Sequence, residues 1–113
     1  MKQVFMIALL LGILGISLYA HPANKVTASY DAKTALLTVE FEHKVSNATD
    51  HFVYNITIQL NGKKTIEQVL TLQESTDGGS FVYKIPGLKK GDKINVVSDC
   101  NKGGKKSTTI TIP

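Results

Sequence analysis

The chain has 113 residues, with 13 basic residues, all of them lysine, against 9 acidic ones, and a formal net charge of +4. That length suits one small domain with a modest core. The absence of arginine removes the bidentate contacts on which phosphate and base recognition lean, so nucleic acid is excluded as the expected partner and the lysines read as a solvated surface.

Residues 1–20 read as a cleavable export signal. Lys2 forms a short positive start, Val4 to Leu18 is apolar and uncharged, and Ala20 supplies the small residue at the cut. The apolar run is shorter than the roughly 20 residues a membrane-spanning helix needs, and no second run follows. The expectation is a periplasmic or secreted domain of residues 21–113 with no membrane contact after cleavage. Its first residue would be His21, with amine and imidazole both free for a metal.

The mature part alternates between apolar and polar residues along most of its length, the period of half-buried strands. Val26, Ala28 and Tyr30 share one side of a first strand over Asn24 to Tyr30, and Leu37, Val39 and Phe41 one side of a second over Leu36 to Glu42. Phe52, Tyr54, Ile56, Ile58 and Leu60 form the expected inner face of a third. Asn61-Gly62 is a two-residue hairpin signal, because both residues tolerate positive φ. Lys64 to Leu72 returns as a partner, nearer an edge. Phe81, Tyr83 and Ile85 make a further strand, stopped at Pro86-Gly87; Ile94, Val96 and Ser98 lead inward to Cys100. After Gly103-Gly104, Lys106 to Ile112 is the last strand. Seven short strands with frequent turns and no helical periodicity predict an all-β, immunoglobulin-like antiparallel β-sandwich.

Two stretches stand out chemically. His43 and His51 flank a short polar loop, each beside a strand, and Cys100 is the lone cysteine, where another strand ends. Two imidazoles and a thiolate converging there would make a metal-ligand set. The plain alternative is two solvated loop histidines and a buried thiol acting as a small apolar residue. His43 shares the parity of Leu37, Val39 and Phe41, so its ring would turn inward and need a polar partner.

Val39-Glu40-Phe41-Glu42-His43, a loop, and then His51-Phe52-Val53 and Ile56 resemble the iron-binding segment of the superoxide reductases, the desulfoferrodoxin and neelaredoxin family. Cys100-Asn101, a glycine-containing turn and a final strand are similar to that family's Cys-Asn-x-His-Gly segment. The resemblance implies an immunoglobulin-like sandwich holding one non-haem iron between equatorial histidines and an axial cysteine thiolate that tunes it. His43 and His51 would be equatorial ligands, Cys100 the axial one, and superoxide the substrate, with an electron-donor protein as partner. The chain departs from the pattern at Gly103, where the family has a histidine. The Glu-Lys-His-x-Pro segment is also absent; only His21-Pro22 with Lys25 occupies the corresponding region. The loop between the two matched histidines is longer than the family's. One side of the family's ligand square is therefore missing, which leaves superoxide reductase activity open.

Three readings follow. The first is an exported mononuclear iron protein with His43, His51, Cys100 and His21 at the metal. The second is a metal-free binding or accessory domain. The third is a copper- or zinc-binding module, in which an N-terminal histidine and a thiolate hold the ion. A nucleophilic cysteine enzyme is a looser fit to the same residues.

Overall fold

A computed structural model describes residues 21–113. The expected signal segment, 1–20, lies outside these residues. Seven strands follow in order: β1 (Lys25–Asp31), β2 (Leu36–Glu42), β3 (Val53–Leu60), β4 (Lys63–Val69), β5 (Gly78–Lys84), β6 (Lys93–Cys100) and β7 (Lys105–Thr111). They form two antiparallel sheets, β1-β2-β5 and β4-β3-β6-β7. The chain crosses between sheets after β2, β4 and β5, as immunoglobulin-like sandwiches do, but its fourth strand pairs with the third rather than joining the first sheet. The all-β sandwich expected from the alternation is therefore the fold.

Alternation builds the core from both sheets. Leu37, Val39 and Phe41 of β2 face Ile56 and Ile58 of β3 and Ile94 and Val96 of β6, all buried. The β3–β4 hairpin closes through Asn61 (φ 52°) and Gly62 (φ 85°), the paired positive φ values of a tight hairpin turn. Gly78 begins β5 where a Cβ would lie 2.0 Å from the Phe41 carbonyl oxygen, so only glycine lets β5 reach β2 there.

One part of the expected inner face is wrong. Phe52 and Tyr54 were expected to point inward with Ile56, yet Val53 is fully buried and Tyr54 is 36% exposed. The register of β3 against β6 shifts between Val53 and Asn55, a β-bulge that reverses side-chain parity upstream of it. Phe81 and Tyr83, also expected in the core, are only partly buried and pack against its margin.

Tyr83 ties the sheets together at that margin. Its hydroxyl on β5 donates to Gln68 Oε1 on β4 at 2.6 Å, and burial pushes its pKa up to about 12. Folding thus favours the protonated phenol, and that contribution is complete below the free tyrosine value of 10.0 and is lost as pH rises through about 12. We expect Tyr83→Phe to be less stable than wild type at neutral pH in denaturant melts. Between these two pH values the variant should lose less stability than wild type does.

Candidate metal centre

One pole of the sandwich collects chain ends whose parity is already fixed. His43 continues the inward row Leu37, Val39, Phe41 one step beyond β2 and is fully buried. Its amide donates to the Asp77 carbonyl at 2.9 Å, extending the pairing of this edge past the strand. Cys100 ends the inward row Ile94, Val96, Ser98 of β6 and faces Val53 across the sheet. His51 precedes β3, upstream of the bulge. The parity that buries Val53 turns His51 toward the pole, whereas an unbroken β3 would carry it outward.

His21 comes from the arm before β1, and the arm is held at every step. Asn24 donates its amide to the Glu42 carbonyl at 2.7 Å, and Ala23 is buried. Pro22 lies on Gly104, where a Cβ would come within 2.8 Å of the proline Cδ. Gly104 itself has φ +98° and closes the β6–β7 turn by accepting the Cys100 amide at 3.0 Å.

The result is a cluster of His21, His43 and His51 whose ligand atoms all lie within 4.8 Å of one another. The three ring centroids are pairwise 4.8 Å apart, edge to face. Three histidines this close together could hold a metal ion. Metal–nitrogen bonds of about 2.1 Å place two ligands about 3.4 Å apart on a tetrahedral ion and about 4.2 Å apart across one, so the rings would draw together around a bound ion.

Cys100 stands beside the cluster rather than within it, with its Sγ 3.2 Å from His51 Nε2. Bonds of about 2.1 Å to nitrogen and 2.3 Å to sulfur, at right angles on one ion, separate the two atoms by about 3.1 Å. The pair is thus already spaced as neighbouring ligands. Burial pushes the Cys100 thiol up, although the amides of Lys102 and Gly103 oppose this. Burial also lowers His51, helped by the charges of His43, His21 and Lys102. The metal-free pair is therefore a neutral thiol beside a neutral imidazole.

Sequence reasoning missed two residues that set this geometry. Gln73 is 2% exposed and its orientation is settled by its own contacts. Its amide nitrogen donates to the carbonyls of His43 at 2.8 Å and Ser75 at 2.9 Å. Its Oε1 therefore accepts, from the Val53 amide at 3.2 Å and from His43 Nδ1 at 2.8 Å. With Nδ1 engaged by Gln73, Nε2 is the His43 nitrogen left for a further partner. That partner is the His21 carbonyl oxygen at 3.2 Å, which accepts, so a metal ion bound there would take the place of the Nε2 proton. An outer partner fixing a histidine tautomer is the usual support of a metal ligand.

Asn101 is the second. Its Oδ1 accepts from the Phe52 amide and its Nδ2 donates to the Asp50 carbonyl, both at 2.9 Å. Its own amide donates to the Phe52 carbonyl at 3.0 Å. One side chain thereby brackets His51 and holds it beside Cys100. The resemblance had singled out Asn101 as the cysteine's neighbour but gave it no role. Gln73, in a polar turn between β4 and β5, carried no local signal.

No protein-family model matches the chain, and no curated protein matches it in sequence. What fold and site define together is an antiparallel β-sandwich with a three-histidine cluster at one pole, supported by a buried glutamine and bordered by a cysteine.

Replacing Gln73 with leucine leaves the Val53 amide, the His43 Nδ1 proton and two carbonyls without their partner. We expect a loss of roughly 1–3 kcal/mol of stability in chemical denaturation. Metal retention should fall by roughly 10- to 100-fold as the His43 tautomer is released. Gly104→Ala should displace Pro22 and weaken metal retention through His21, while the far-UV circular dichroism of the sandwich stays unchanged.

Proposed function

We propose that the protein is an exported mononuclear metal protein of the superoxide reductase type, holding non-haem iron through His43, His51 and His21 with Cys100 as the sulfur ligand. The observation that carries this reading is the setting of His43. A buried imidazole whose Nδ1 is committed to Gln73, and whose Nε2 lies at a carbonyl oxygen beside two further histidines, is arranged as a ligand. Imidazole with thiolate suits iron, copper and zinc and disfavours magnesium and calcium. The Val39 to His51 and Cys100-Asn101 resemblance favours iron among the three.

A bound ferrous ion would supply one electron to superoxide, which takes up two protons and leaves as hydrogen peroxide. The chain's own residues do the rest. His43 is held rigid by Gln73, and His51 and Cys100 are kept side by side by Asn101. Lys44 borders the same surface hollow as His21, and Lys102 lies close enough to His51 to lower its pKa. Lys102 is paired with Asp50 at 3.6 Å, so Lys44 is the cation at the pole that would raise the local concentration of a small anion. An electron-donor protein would have to return the site to its reduced state.

The test is anaerobic reconstitution with Fe(II) followed by oxidation. We expect one iron per chain and a visible thiolate-to-iron absorption band. In Cys100→Ser the band should vanish while the sandwich stays folded, and wild type should consume superoxide without evolving dioxygen. Protein that takes up zinc or copper but no iron, or gives no thiolate band, sinks the iron reading. His43→Ala or His51→Ala should lower iron retention by more than tenfold.

A further inference from the structure

The three imidazoles and one thiolate leave His21 in an unusual place. The residue after an expected cleavage point would ordinarily be frayed. Here Pro22 is seated on Gly104, Ala23 is buried and Asn24 is hydrogen-bonded to Glu42. The backbone of residue 21 is itself at the site, because its carbonyl oxygen lies 3.2 Å from His43 Nε2. Its ring touches both other histidines. Ring, carbonyl and main-chain nitrogen all hang from one Cα, so the nitrogen of His21 is carried by a residue already at the cluster.

We infer that cleavage of the Ala20–His21 bond completes the metal site, the freed α-amine of His21 becoming a fourth nitrogen donor beside the three imidazoles. This rests on the metal-binding reading above and adds to it how the site is switched on. In the uncut chain that nitrogen is an amide, whose lone pair is delocalised into the neighbouring carbonyl and is no ligand for Fe(II) or Zn(II). After hydrolysis it is an amine. The amine and Nδ1 of one histidine close a six-membered chelate ring on a metal, which ties the donors together at little entropic cost. Nδ1 now lies 3.0 Å from the Pro22 carbonyl oxygen, and a turn of the ring exchanges that single contact for the chelate.

The three-histidine cluster leaves positions open on an ion, and an amine carried by one of those histidines can take one. The device also orders events: the uncut precursor holds metal weakly, and the full donor set appears only once the signal is removed. Metal loading thereby follows export.

The experiment compares two forms of the chain from His21 to Pro113, which contains β1 to β7 and the core described above. One has a free amine at His21, and the other is Nα-acetylated there. Fe(II), under anaerobic conditions, and Zn(II) are the probes, with affinities read by competition against a chelator and the folds compared by circular dichroism. We expect acetylation to weaken both metals by roughly 10- to 100-fold or more, the range that even changes outside the ligands produce. Equal affinity in the two forms overturns this inference and leaves the metal centre standing. Binding by neither form overturns the metal centre as well.

Discussion

The site depends on where the Gln73 carboxamide points. Buried at a pole where strands end, it accepts from one strand's amide and one imidazole while donating to two carbonyls. No buried side-chain nitrogen or oxygen lacks a partner among the described residues. An inward-facing histidine would otherwise cost the core an unsatisfied polar group. Here the same contacts that remove that cost also select which ring nitrogen turns toward the other histidines. Stability and ligand chemistry are therefore one constraint, and the glutamine cannot turn over without losing both.

The pole is assembled from segments far apart in the chain, each brought by a different device. His43 arrives by simple strand parity, and Cys100 likewise. His51 arrives because a bulge in β3 reverses parity, and it is then bracketed by Asn101. His21 arrives on an arm that fits only because Gly104 has no side chain. A strand interior would hold its side chains more rigidly than strand ends do. Strand ends, however, are where four separate segments of a sandwich can meet, and the hydrogen-bonding amides of Gln73 and Asn101 supply the rigidity instead.

The donors are nearly placed for an ion, with His51 and Cys100 at ligand spacing and the histidine cluster slightly wide. A site of this kind closes by small side-chain movements and leaves the sheets alone. Were Cys100 to join a bound ion, its thiol would have to give up a proton, which would couple ion uptake to proton release. The lysines, scattered in the sequence, matter here only where Lys44 and Lys102 border the pole.

The sequence by itself determined the strands, because period-two alternation and Asn61-Gly62 are local signals that each segment carries whatever its neighbours do. It also determined that His43 and Cys100 face inward, since both extend rows of buried residues by whole steps of two. Tertiary structure decided the rest. The bulge between Val53 and Asn55 is a property of two strands in register, and it moved Tyr54 out, Val53 in and His51 to the pole. Gln73 acquired its role only when the β4–β5 connection folded over the end of β2. His21 joined the cluster because Pro22 found Gly104, some eighty residues away, with no Cβ to hold it off. Alternation is read along one strand, whereas a ligand cluster is a relation among chain ends that only packing brings together.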